Sequence, residues 1–203
     1  MKPAVSPSAL RVQAALGDGH LVLEFDRSVR TAAEAAATIG CTVAQIAKSI
    51  VFRAVNSGHP VLVIASGANR IDEDRVAELV GEPIARADAN FVREATGFAI
   101  GGVPPVAHKN PPIVLIDDTL SALTEIWAAA GTPHAVVKLT FNDLVELTKG
   151  KVAAVARSAG QQHPAPTVGG HCPDRWVSTS CCGQPRRPAI AAAASARRDS
   201  TAP

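Results

Sequence analysis

QIAKSIVFRAVNSGHPVLVIA, running from Gln45 to Ala65, decides the reading of the fold. Thr42 stands where it can cap a short helix over Val43 to Lys48, and that helix leads without a break into an apolar strand, Ser49 to Val55. Asn56-Ser57-Gly58 carries turn chemistry, because these residues bend the chain or bond to their own backbone. Pro60 to Ala65 is a second apolar strand, so the pair predicts a hairpin with a longer loop. A hairpin set among helices argues against strict strand–helix alternation and for an α+β domain with a mixed sheet.

Working outward, Ser8 to Leu16 reads as a helix capped by Ser6 or Ser8, and His20 to Phe25 alternates as a strand. Thr31 caps a helix over Ala32 to Thr38, with Glu34 at the capping-box position. On the other side, Asp72 to Val80 starts acidic and stops at Gly81 and Pro83. Ile84 to Ala87 is extended, and Ala89 to Thr96 is helical up to Gly97. Strands are expected at Phe98 to Ile100, Ile113 to Ile116 and His134 to Leu139. Helices are expected at Ser121 to Ala130 and at Phe141 to Leu147, the second capped by Thr140.

A chain of 203 residues with 47% hydrophobic side chains supports one sizeable core, and 3% aromatics make that core aliphatic. The net charge of +2 is too small to argue for DNA or any other polyanion by itself. The N-terminal stretch lacks the apolar region of a signal peptide, and no run reaches the roughly 18 apolar residues of a membrane span. Three of the four cysteines fall late in the chain, which fits a reducing cytoplasm better than a disulfide framework. Periodicity ends near Arg157, so residues 1–157 read as the domain. Residues 158–203 read as a low-complexity, disordered tail, rich in Gly, Pro, Ser and Ala.

Candidate chemistry begins with Lys48, a point charge suited to a phosphate, carboxylate or carbonyl oxygen; spacing alone fits a solvated lysine better. Gly101-Gly102-Val103-Pro104-Pro105 is a loop whose glycines let backbone N–H groups approach a ligand, and whose prolines stiffen it. It reads equally as a plain strand-ending turn. His134 opens a strand after a tight turn, where a structural histidine is the commoner case. Asp117 and Asp118 follow a strand, one fit to orient a polar group and the other to cap a helix.

Other residues read as background. His108-Lys109-Asn110 is expected to face solvent, Ser66-Gly67 with Asn69 and Arg70 to form a turn, and Cys41 to be a small buried residue. His163, His171, Cys172, Cys181 and Cys182 match no zinc spacing, so no metal and no cofactor is expected. Nucleophile-elbow, phosphate-loop, dinucleotide and zincin motifs are all missing from the sequence, which leaves a site with no obvious protein nucleophile.

AKS before an apolar strand, the Gly101 to Pro105 loop and AAGTPHAVVKLT (Ala128 to Thr140) together resemble the YbaK/EbsC family. Its members are relatives of the editing domain inserted into bacterial prolyl-tRNA synthetases, and the likeness covers roughly Ala32 to Val155. The resemblance implies a mixed β-sheet curved into a partial barrel with surrounding helices. It implies hydrolysis of the ester of mischarged aminoacyl-tRNA, Cys- or Ala-charged proline tRNA first, at the 3′ end and with prolyl-tRNA synthetase as a possible partner. By that likeness Lys48, Gly101 and Gly102 are catalytic, and Val103, Pro105, Asp117 and His134 bind substrate. Pro104 stands where relatives often carry Ser, which removes a hydroxyl from the loop. The same loop and lysine are compatible with a non-catalytic binding module for aminoacyl-tRNA or a synthetase, or with a hydrolase of another small acyl ester.

Overall fold

The computed structural model describes residues 1–26, 29 and 31–157. The expected tail, with its histidines and cysteines, lies outside them. Five α-helices and nine strands succeed one another along the described residues: β1 (Lys2–Pro3), α1 (Pro7–Leu16), β2 (Val22–Glu24), α2 (Ala32–Ile39), β3 (Ile46–Ala54), β4 (Pro60–Ser66), α3 (Glu73–Val80), β5 (Ile84–Arg86), α4 (Ala89–Thr96), β6 (Ile113–Asp117), β7 (Ile126–Ala129), β8 (Ala135–Leu139), α5 (Phe141–Thr148) and β9 (Lys151–Ala153). The strands join one mixed sheet in the order β1-β2-β8-β7-β3-β4-β6-β9, with β5 added on β3. Its end strands do not pair with each other, so the sheet is open and the expected α+β, partial-barrel architecture holds.

The central hairpin is as expected. β3 and β4 pair antiparallel from Ala47↔Ser66 to Arg53↔Pro60, and every residue of β4 is buried. Burial on both strand faces explains why β4 reads as a continuous apolar run. Leu62 and Ile64 face a core shared with α1, α4 and α5 (Val12, Val92 and Leu144), whereas Val61 and Val63 face Val76 of α3. A third cluster sets Ala35 and Ala36 of α2 against Ile46, Trp127 and Val136.

Several local expectations are corrected. Val43 to Lys48 is not a helix: a 3-10 turn, Val43–Gln45, is followed at once by β3. Thr42 stands at the N-cap of this turn, and both its amide and its hydroxyl donate to the Gln45 carboxamide oxygen at 2.9 Å. Sheet pairing of Ile46 with Trp127 then outweighs the extra helical turn. Ser121 to Ala130 is likewise a 3-10 turn, Asp118–Ala122, and then β7, which pairs with β8 from Ile126↔Leu139 to Ala129↔Val136. A short apolar run has the same pattern in a buried strand and a buried helix, and only the partner strand decides. Phe98 to Ile100 is a turn rather than a strand. Ser6 sits at the N-cap of α1, but its side chain does not cap; its hydroxyl donates to the Glu24 carboxylate instead. Among the described residues, no helix is long and apolar enough to cross a membrane.

Candidate active site

The site grows out of a gap in the sheet. One edge of β3 is filled by β4, while the opposite edge pairs with β7 only at Ile46 and Ala47 and with β5 only from Phe52 to Ala54. Lys48 to Val51 therefore have no strand beside them on that edge. The loop from Ile100 to Val103 lies over the opening, and two cavities meet there, sharing Lys48, Ser49, Ile50, Ile100, Gly101 and Val103.

Strand alternation puts Lys48 on the face of Ile46 and Ile50, in the seam between the α2 cluster and the α3 cluster. Its ammonium donates to the Asn69 carbonyl oxygen at 2.7 Å. Asn69 is itself held, its Nδ2 donating to Asp117 Oδ2 and to Thr119 Oγ1, each at 2.8 Å. Asp117 is 0% exposed and also accepts from the Ser66 amide at 3.2 Å and from the Thr119 amide and hydroxyl at 3.1 and 2.8 Å. Burial pulls the Lys48 pKa below the usual lysine range; the Asp117 carboxylate opposes this and the Arg70 guanidinium adds to it. An ammonium has three N–H donors, so the one bound to Asn69 leaves the others for a ligand.

The glycine loop is fixed against the β7–β8 turn. Gly102 donates to the Ala99 carbonyl at 3.0 Å and accepts from the Gly131 amide at 2.9 Å, and a Cβ on it would lie 2.7 Å from Thr132 Cα. Gly101 has φ +85, a conformation open to glycine. Among the described residues the amides of Gly101 and Val103 take no hydrogen-bond partner. The Gly102 amide is spent within the loop, so its free backbone donors are those of its neighbours.

The two cavities differ in character. One, of about 520 Å³, is the more polar, with Asn69, Arg70, Glu73, Arg86 and Arg157 in its wall among apolar residues such as Ile50, Phe52 and Val92. The other, of about 300 Å³, is largely apolar, with Phe25, Ala32, Ala35, Trp127 and Val136. Trp127 Nε1 and Ser49 Oγ are buried without a hydrogen-bond partner, and both residues line the apolar cavity. Among the described residues, no group of His, Cys, Asp and Glu is placed to hold a metal.

Of the residues singled out by sequence, Lys48, Gly101 and Val103 come together at the junction of the cavities. Asp117 stands behind Asn69, which it holds by a hydrogen bond, and acts on Lys48 through its charge. Pro105 is buried beside the loop, and His134 is exposed, flanked by Pro133 and Ala135 of the apolar cavity. Asp118 opens the 3-10 turn. His108 does not face solvent as expected: it is half-buried, with Nε2 2.8 Å from the Pro104 carbonyl oxygen and its ring edge-on to Phe98. Cys41 is half-buried against the α2 cluster. Sequence reasoning missed Arg157, Arg86 and Trp127. Their signal is tertiary, since each reaches a cavity through strand pairing that no local pattern displays.

Comparison with known proteins agrees with this geometry. A family model described as the aminoacyl-tRNA editing domain matches residues 26–147. The chain is 34% identical over 131 residues to the uncharacterized protein YwhH of Bacillus subtilis (strain 168), covering 64% of this chain and 83% of that protein. It is 31% identical over 117 residues to the proline–tRNA ligase of Limosilactobacillus fermentum (strain NBRC 3956 / LMG 18251), covering 56% of this chain but 20% of the ligase. A solved structure named as a candidate trans-editing enzyme for prolyl tRNA synthetase superposes with a TM-score of 0.72 at 45% identity, covering 76% of this chain and 100% of that one. With the editing-domain pattern running through more than half of its length, this chain belongs to the aminoacyl-tRNA editing domain family.

Proposed function

We propose that the chain is a trans-editing deacylase, which hydrolyses the ester between a wrongly attached amino acid and the terminal ribose of tRNA. Cys- and Ala-charged proline tRNA are the first candidate substrates, and prolyl-tRNA synthetase is the enzyme whose errors it would clear. The observation that carries this reading is the position of Lys48, which stands where a largely apolar cavity meets one with charged residues in its wall. An aminoacyl ester has that same division, a small side chain on one side of the bond and a ribose with its phosphate on the other.

In this scheme the amino-acid side chain enters the apolar cavity and the ester carbonyl lies between Lys48 and the Gly101–Val103 backbone. Free amides there, with the ammonium, stabilise the oxyanion as it forms. Gly102 keeps the loop at the right distance through Thr132, and Pro105 stiffens it. Asp117 fixes Asn69 and hence Lys48, and His134 borders the apolar entrance. Water attacks the carbonyl carbon, the carbon–oxygen ester bond breaks, and the ribose oxygen leaves with a proton. The neighbouring free ribose hydroxyl relays that proton, so no side-chain base and no metal is required. An ester is activated relative to an amide, and holding it in position supplies much of the acceleration.

The test is deacylation of 3′-end-labelled mischarged tRNAs, Cys- and Ala-charged proline tRNA among them, by the wild type and by Lys48→Ala. Loss of one oxyanion donor lowers turnover about 100-fold or more. Equal turnover by the variant would refute the role of Lys48, and a folded wild type inactive on the whole panel would refute the deacylase itself.

A further inference from the structure

The more polar cavity holds more positive charge than ester hydrolysis calls for. Lys48, Arg70, Arg86 and Arg157 line it, with Glu73 as the acidic residue of the wall. Glu73 is already engaged, its Oε1 accepting from Arg86 Nε at 3.0 Å and Nη2 at 2.7 Å. Arg70 and Arg157 have no carboxylate partner among the described residues. A chain of net charge +2 thus gathers Lys48, Arg70 and Arg157, all without an ion pair among the described residues, around one cavity.

Arg157 is brought there by construction. Its amide donates to the Arg70 carbonyl at 2.8 Å, Ala156 bridges Ile71, and the Asp72 amide donates to the carbonyl of Val155, which is fully buried. This segment lies beyond residues 26–147, the part that matches the editing-domain pattern. It ties a second arginine beside the first, against the wall that carries Lys48.

We propose that Arg70 and Arg157 form a phosphate site, which takes the phosphodiester joining the last two nucleotides of the bound tRNA. The assignment to tRNA rests on the deacylase reading of Lys48; the phosphate chemistry rests on the cavity. A guanidinium presents parallel N–H donors that match two phosphate oxygens, so paired arginines are suited to hold a phosphodiester. The phosphodiester lies one ribose away from the ester, and the polar cavity lies directly beside the ester position at Lys48.

Binding and turnover test this separately, both on the full chain. In titration calorimetry the dinucleotide cytidylyl-adenosine is expected to bind at least tenfold more tightly than adenosine, and the difference is expected to shrink as salt rises. Arg70→Ala and Arg157→Ala, both on exposed side chains, are each expected to reduce that difference about tenfold. In deacylation, both variants are expected to raise KM for aminoacyl-tRNA about tenfold more than KM for the phosphate-free aminoacyl-adenosine. Equal affinity of the wild type for dinucleotide and adenosine overturns the phosphate site, as does an equal effect of the variants on both ligands. Tighter binding of 5′-AMP than of the dinucleotide overturns the assignment to tRNA and gives the cavity to a free nucleotide. Arginine-dependent dinucleotide binding without any deacylation supports the phosphate site while refuting the deacylase.

Discussion

Asp117 offers the sharpest test of how the site is held. Replacement by Ala removes a carboxylate that accepts from the Ser66 amide, Asn69 Nδ2 and both the amide and hydroxyl of Thr119. Ser66 is 3% exposed, so its amide is left without water or partner. Hydrogen bonds to a charged group contribute about 1.5–3 kcal/mol each, and the Thr119 donors, nearer the surface, recover much of theirs from solvent. Counting Ser66 and Asn69 gives a loss of about 3–6 kcal/mol, which for a domain of this size lowers Tm by roughly 6–24 °C. Asp117→Asn keeps one acceptor but turns an NH2 toward a donor, so about half of that loss is expected. Urea unfolding followed by circular dichroism measures both. If Asp117 acts on turnover through Asn69 and Lys48, deacylation by Asp117→Asn/Lys48→Ala will be no worse than by Lys48→Ala, because the second change has nothing left to misplace. A loss below about 1 kcal/mol in Asp117→Ala, or losses of turnover that multiply in the double variant, would refute the reasoning.

Gly102→Ala places a Cβ 2.7 Å from Thr132 Cα, where backbone cannot give way, so the loop must shift away from β8. Turnover on mischarged tRNA is expected to fall about tenfold or more, and an unchanged kcat/KM would show that the loop position does not matter. His108 has its pKa lowered from 6.5, first by burial and further by the Arg11 charge, against the raising effect of the Pro104 carbonyl. Between the lowered folded value and 6.5 the unfolded chain binds more protons, so stability rises with pH through that window and is lost on acidification. Urea midpoints measured from about pH 5 to 7 should show this slope in the wild type and a flatter one in His108→Asn; identical slopes would exclude His108 as its source. Residues 1–157 are expected to fold alone, with Tm within about 2 °C of the full chain. A chain ending at Leu147 loses β9 and the buried Val155, and is expected to be less stable by at least about 3 kcal/mol. Equal stability of these two truncations would show that β9 adds nothing.

Much of this arrangement is legible in the sequence wherever one segment carries its own evidence. The β3–β4 hairpin announces itself through two apolar runs and a turn, helices α2 and α5 through Thr31 and Thr140, whose side chains accept from the first turn, α3 through its acidic start at Asp72, and α4 through its stop at Gly97. What could not be read depends on partners far along the chain. Ile126–Ala129 looks helical until β8 lies beside it, and Lys48 looks like a helix terminus until β7 draws Ile46 and Ala47 into the sheet. The site shares this property. β7 and β5 occupy the same edge of β3 but stop short of each other, and the opening at Lys48 to Val51 belongs to neither strand. In this opening Lys48 keeps one partner in Asn69 and donors free for a ligand. The chemistry of the chain therefore resides less in its lysine than in the missing strand beside it, and closing that gap would be expected to abolish turnover with every proposed site residue still in place.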